Sequence, residues 1–182
     1  MRLVPLGLPG ILLVESRVFS DGRGSFLETW NGRALAAAGL EATFVQDNMS
    51  LSNRHALRGL HYQARQPQGK LVRVLSGAVF DVVVDLRRSS PAFGRVFTVE
   101  LKAEQHHALW VPPGFAHGFL SLADDTRVQY KVTDYWAPEW ERTLAWDDPA
   151  LGINWPLPAG VTPIVSDKDR AGTRLAAADT YP

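Results

Sequence analysis

The chain has no cysteine, which removes a disulfide scaffold, a thiol nucleophile, thiolate zinc and iron–sulfur clusters, and leaves histidine and carboxylates as the metal ligands on offer. It has no excess of either charge. Nineteen Lys and Arg balance 19 Asp and Glu, so no overall field draws it to nucleic acid or an anionic membrane, and an anionic ligand must meet a local cluster of cations. Long apolar runs are missing too. The longest uncharged stretch near the N-terminus, residues 3–14, is interrupted by Pro5 and Pro9 and falls well short of the ~20 residues of a spanning helix. Glu15, Ser16 and Arg17 follow it, which is no small-x-small cleavage site, so a soluble cytoplasmic protein is expected.

Helical signal is scarce as well. The best segment is 31–40, where Asn31 can cap, alanines fill the interior and Gly39 stands near the end. A second short helix is expected to begin near Ser166. Elsewhere the period is two. In 78–86, Phe80, Val82, Val84 and Leu86 alternate with Asp81 and Asp85, which predicts a strand with one dry face and one solvated or lumen-lining polar face. Comparable runs are 11–19, 71–75, 95–101, 108–111, 118–122 and 127–133, separated by turn residues such as Asp21-Gly22, Ser76-Gly77, Pro112-Pro113-Gly114 and Asp124-Asp125. Apolar residues make up 46% of a 182-residue chain with no repeat and no linker, enough for one domain with a core. The expectation is one all-β, barrel-like domain over 1–182 with one or two short peripheral helices.

Two of the five histidines stand in unusual company. In Arg58-Gly59-Leu60-His61-Tyr62-Gln63, an extended backbone puts His61 and Gln63 on one side and Leu60 and Tyr62 on the other. The spacing Pro112-x-Gly114-x-x-His117 resembles the second signature of the cupins, double-stranded β-helices of jelly-roll form, which agrees with the strand count. Metal-binding cupins carry two histidines one residue apart in their first signature. Here the second place holds Gln63, a poor ligand, so no metal is expected. The adjacent His106 and His107 would point opposite ways on a strand and are read as surface residues.

Several polar blocks in order carry a closer resemblance: Asp21-Gly22-Arg23-Gly24-Ser25-Phe26, Phe44-Val45-Gln46-Asp47-Asn48, the His61 segment, Gly69-Lys70-Leu71-Val72, Asp81-Val82-Val83-Val84-Asp85-Leu86-Arg87, the segment 113–119, Tyr130-Lys131 and Ser166-Asp167-Lys168-Asp169. In these the chain is similar to the dTDP-4-dehydrorhamnose 3,5-epimerases, a cupin-related family of deoxysugar biosynthesis. The resemblance implies epimerisation of a dTDP-4-keto-6-deoxyhexose at C3, at C5 or at both, without cofactor or metal. Such chemistry needs a base, a stabiliser for the enolate and an acid on the opposite face. The family's positions put His61 as base, since an imidazole can accept a proton near neutrality, with Asp169 as its carboxylate partner, Lys70 beside the enolate oxygen and Tyr130 as acid.

Local reading alone leaves alternatives for each. Ser166-x-x-Asp169 has the form of a capping box, Lys70 that of a solvated strand-end lysine, Tyr130 that of a core aromatic and Trp136 that of a buried tryptophan at a strand end. The resemblance further assigns substrate contacts to Arg23, Glu28, Gln46, Asp47, Asn48, Arg58, His117, Glu141 and Lys168, and stacking on thymine to Trp136. Trp30, Trp110, Trp140, Trp146 and Trp155 are read as core or interface. Active family members are homodimers whose N-terminal strand packs on the neighbour, which would let Arg23 and Glu28 complete the partner's pocket. Ser25 departs from the bulkier residue common in that segment. Rival readings are a monoepimerase or ketoisomerase of the same family, a metal-dependent cupin, and a nucleotide-sugar binder without turnover.

Overall fold

The computed structural model describes residues 1–182. Two sheets face each other as a jelly roll. The first has the spatial order β1 (Arg2–Pro5), β2 (Leu12–Glu15), β10 (His107–Val111), β7 (Lys70–Ser76), β12 (Thr126–Val132) and β5 (Gln46–Ser52). The second runs β13 (Glu141–Thr143), β6 (Ala56–Gln63), β11 (Phe115–Ser121), β8 (Ala78–Asp85) and β9 (Val96–Lys102). Every pairing along these two orders is antiparallel, and only β14 (Ile164–Val165) adds in parallel, beside β6. A separate hairpin joins β3 (Val18–Asp21) to β4 (Gly24–Leu27). The all-β jelly-roll expectation is met, while the single strand expected over 11–19 is two, broken at Ser16 and Arg17 so that its second half leaves the sheet for the hairpin. No helix is long and apolar enough to cross a membrane.

The period of two decides what each face buries. Between the sheets lies a cluster built from Val72, Val74, Leu109, Val111 and Val128 on one side and Val79, Val83, Leu101, Phe115 and Phe119 on the other. The residues in between them along the strands pack outward. Leu71, Ala108 and Trp110 meet Leu35 and Leu40 of the segment around α1 (Gly32–Ala37). Leu60, Tyr62, Val82, Val84, Leu86 and Ala116 meet Leu144, Leu151 and the C-terminal stretch through Trp155 and Tyr181.

This second layer supplies the dry face expected of β8. The chain after β13 covers the even-numbered side, and of the two alternatives for the odd side the lumen-lining one is found, with both aspartates buried between the sheets and not solvated. Asp85 is wholly buried and accepts hydrogen bonds from Arg87 N–H, Nε and Nη2 and from Ser90 Oγ. A charge so placed persists only because its acceptor sites are filled. Asp81 is likewise buried and is bonded to His117. His106 and His107 are half-buried, His106 in the left-handed backbone conformation that ends a short 3-10 turn.

Both expected helices form, the first shorter than its signal and the second short, as expected. Asn31 caps α1 by accepting the N–H of Ala34, and Gly39, at φ +98°, turns the chain away at its end. Ser166 caps α2 (Asp167–Arg170) by accepting the N–H of Asp169. Of the tryptophans read as core or interface, Trp110 is buried, Trp155 stands edge-on to Phe80, Trp140 lies under the Arg65 guanidinium, and Trp30 is 42% exposed with Phe44 at its edge.

Candidate active site

One end of the space between the sheets is polar instead of apolar, and it opens as a cavity of about 300 Å³. His61 and Gln63 come to it from β6, Lys70 from β7, Tyr130 from β12, Gln46 and Asn48 from β5, and Glu141 from β13, with Tyr62, Gln68 and Trp136 completing the wall. Alternation places these residues: His61 and Gln63 share the inward side of β6 just as the extended backbone predicts. His61 and Tyr130 stand on strands of different sheets, so the cavity has an imidazole on one wall and a phenol on the other.

His61 is held from behind. Its Nε2 lies 2.5 Å from Asp169 Oδ1, while Asp169 Oδ2 accepts the N–H of Gly59 at 3.2 Å. Burial by itself would raise the Asp169 carboxyl, but the hydrogen bonds from His61 and Gly59 and the positive charge of Lys168 hold it below the usual carboxylate range. Asp169 therefore acts twice: its N–H completes the cap on Ser166, as the local pattern suggests, while its side chain meets His61, as the resemblance implies. With both carboxylate oxygens taken, the reciprocal half of a capping box is not made. Close approach of β6 to β11 makes room for this. Gly59 has φ +119°, and a Cβ there would lie 2.7 Å from Gly118 Cα, so a side chain at 59 would push the two strands apart.

Lys70 is only 8% exposed, which overturns its reading as a solvated lysine. Its Nζ donates to the His61 carbonyl at 3.1 Å. Burial brings its ammonium down to about 8, opposed by the charges of Asp81 and Glu141. Burial pushes the Tyr130 phenol above its ordinary range, with Arg58 opposing and Glu141 reinforcing, so it is a proton donor throughout the neutral range. Trp136 is 56% exposed and lines the cavity, so it is not a buried strand-end tryptophan.

The remaining expected contacts divide by place. Arg58, on the same strand as His61, donates to Ser52 Oγ and the Leu51 carbonyl and is close enough for its charge to act on Tyr130, while Lys168 pairs at 2.9 Å with Glu141, which lines the cavity. His117 lies behind the wall, 7% exposed, with Nε2 at 2.9 and 3.0 Å from the two Asp81 oxygens. Asp47 alternates with Gln46 and Asn48 and so faces outward, bound to Lys131, away from the cavity its neighbours line. Arg23 and Glu28 are remote: Arg23 sits at the tip of the β3–β4 hairpin paired with Asp21, and Glu28 accepts from Asn31. Tyr62, Gln63 and Gln68 line the cavity without having been singled out as site residues, although Gln63 shares a strand face with His61. No three His, Asp or Glu side chains converge in a cluster able to hold a metal ion.

Comparison with known proteins points to one family of sugar epimerases. Residues 5–177 match the family model described as dTDP-4-dehydrorhamnose 3,5-epimerase. A protein of that name from Pseudomonas aeruginosa is 52% identical over the full length of both chains. The crystal structure of the Bacillus anthracis dTDP-4-dehydrorhamnose 3,5-epimerase with TDP and PPi bound superposes with a TM-score of 0.91 at 40% identity, covering 95% of this chain and 98% of that one. A dTDP-6-deoxy-D-glucose-3,5-epimerase from Legionella pneumophila, in complex with dTDP-4-keto-L-rhamnose, superposes at 0.90 with 42% identity, covering 97% and 93%.

Proposed function

The chain belongs to the dTDP-4-dehydrorhamnose 3,5-epimerase family and is an isomerase of deoxysugar biosynthesis, and from that premise we propose how its cavity works. The substrate is a dTDP-linked 4-keto-6-deoxyhexose. His61, through Nδ1, removes the proton from the carbon next to the ketone; the C–H electron pair becomes the C=C bond of an enolate, whose oxygen takes the charge beside the Lys70 ammonium. Asp169 keeps the imidazole oriented and stabilises it once protonated. Tyr130 then returns a proton to the same carbon from the other side, and the configuration is inverted. Solvent resets the phenolate and the imidazolium. No electrons leave the substrate, so the sequence of steps needs no redox cofactor.

What carries this reading is the position of the two proton-transfer groups on opposing sheets of one cavity, with His61 bound to Asp169 at 2.5 Å. Arg58 and Lys168 suit a diphosphate, since guanidinium and ammonium groups pair with phosphate oxygens. Trp136 offers an exposed ring for the thymine, and Gln46, Asn48 and Glu141 offer polar contacts to the sugar.

The working form in this proposal is a homodimer. The β3–β4 hairpin stands off both sheets with Phe19 and Phe26 exposed as a cross-strand pair, and Met49 and Leu51 are exposed on β5, the edge of the first sheet. Apolar surface of this kind beside an open strand edge suits a second copy, and Arg23 and Glu28 would then reach the partner's cavity.

Incubation with dTDP-4-keto-6-deoxyglucose in heavy water, followed by NMR, tests the function. Deuterium at C3 and C5 is the expected result. Deuterium at one carbon makes the protein a monoepimerase, and none at either overturns the assignment.

A further inference from the structure

Gln63 occupies the place where a metal-binding cupin would carry its second histidine, and its amide is fully engaged. The side chain is 3% exposed. Its Oε1 accepts the N–H of Ala137 at 2.8 Å, and its Nε2 donates to the carbonyls of Gln66 at 2.8 Å and Tyr135 at 3.3 Å. The orientation of the amide is dictated by its partners, one donor and two acceptors, and cannot be reversed without losing all three bonds. Two of those bonds hold the main chain on either side of Trp136. The residue between is held from the other sheet: Gln46 Oε1 accepts the N–H of Trp136 at 3.1 Å, with its own Nε2 on Asn48 at 2.8 Å. Three successive residues of one loop are thus tied to two glutamines on facing sheets.

The ring of Trp136 is more than half exposed, so packing does not fix it. An exposed aromatic on an untethered loop must be ordered when it takes up a ligand, and that ordering weakens binding. A loop pinned at each residue presents the ring already in place. We propose that Gln63 is a positioning residue for nucleobase recognition: by anchoring Tyr135 and Ala137 to the strand that carries His61, it holds Trp136 as a preformed platform for a planar base and sets that platform's distance from the proton-abstracting imidazole. The inference rests on the reading that Trp136 receives the base. It explains why a buried amide stands two residues from His61 in a site that has no use for it in proton transfer.

The test uses the full-length protein, dTDP as the probe, and the variants Gln63→Met, Trp136→Ala and the pair combined. Gln63→Met keeps the length of the side chain and removes all three bonds; its dTDP Kd and substrate KM are expected to rise about tenfold, with kcat falling less than about threefold. In the Trp136→Ala background the same change should add less than about twofold, because both act through one contact. Should the Met variant not fold, Gln63→Asn, an amide one methylene too short to reach all its partners, is expected to give the same split between KM and kcat. A Trp136→Ala variant with weakened dTDP binding beside a Gln63→Met variant with parental binding overturns the role of Gln63 alone, as would fully additive losses in the combined variant or a loss confined to kcat. Parental dTDP affinity in Trp136→Ala would remove the base platform itself, and this inference with it.

Discussion

His61 and His117 are cross-strand partners in the β6–β11 ladder, yet each ring is committed to a different carboxylate, His61 to Asp169 and His117 to Asp81. The first pair is open to the cavity, with the imidazole 27% exposed; the second is sealed, at 7% for the ring and 0% for the carboxylate. Proton exchange with a ligand requires contact with it. Of the two chemically similar pairs, only the first lines the cavity, and the second sets the charge behind it by placing Asp81 near Lys70.

Asp169→Asn keeps the shape of the partner and removes its charge. Deuterium exchange into substrate should fall about a hundredfold or more, with dTDP affinity unchanged because the carboxylate lies behind the imidazole. His61→Ala should abolish exchange at every carbon while dTDP still binds. Calorimetry and NMR read the two quantities separately, and residual exchange in His61→Ala would mean that another group is the base.

Tyr130→Phe separates removal of the proton from its return. With His61 intact, the substrate carbon should still exchange its hydrogen with heavy water, but the proton would come back from the side it left. The expected product is deuterated sugar of unchanged configuration. Inverted product at the parental rate would show that Tyr130 is not the acid.

The buried Lys70 ammonium, brought down to about 8, loses its charge as the pH rises through that value. In the proposed mechanism the charged form stabilises the enolate, so kcat/KM should fall on the alkaline side with a midpoint near 8. Tyr130 is pushed the other way, upward, and so does not produce this limb. In Lys70→Arg, whose guanidinium stays charged, the limb should disappear or move well upward; an unmoved midpoint would assign it to another group.

Asp85 tests the scaffold instead of the chemistry. Asp85→Ala leaves the Arg87 guanidinium and the Ser90 hydroxyl without their acceptor and opens a hole between the sheets. Urea denaturation should show a loss of about 2 to 4 kcal/mol. Although burial would raise it, hydrogen bonds from Arg87 and Ser90 hold the Asp85 carboxyl below its ordinary range. Its contribution is therefore complete above the unfolded-state value and is lost as the pH falls through the lower folded one. Parental and variant stability should converge in acid, and a gap that stays constant down to low pH would refute the linkage.

Alternation made much of this legible in advance. The runs at 71–75, 95–101, 108–111 and 127–133 are strands to within a few residues, Asn31 and Ser166 cap the helices they announce, and His61 and Gln63 share a face. The same rule, applied to 46–48, would have turned Asp47 outward, but a block of polar residues read as a unit hid its period. That the aspartates on the other face of β8 are sealed could not be read locally, since it depends on the groups that meet them, Arg87 and Ser90 at Asp85 and His117 at Asp81.

The period of two was enough to determine an all-β domain, and the order of polar blocks along the chain carried the resemblance to a family of epimerases, because each is read from neighbours in sequence. Which of many similar polar residues form the site was decided by the tertiary structure. Asp169 reaches His61 across 108 residues, and Gln63 meets Tyr135 across 72, distances over which sequence carries no geometry. Only when the two sheets close do burial, charge and alternation act on the same small volume and bring an imidazole, a phenol and an exposed indole to one cavity from residues that look ordinary one by one.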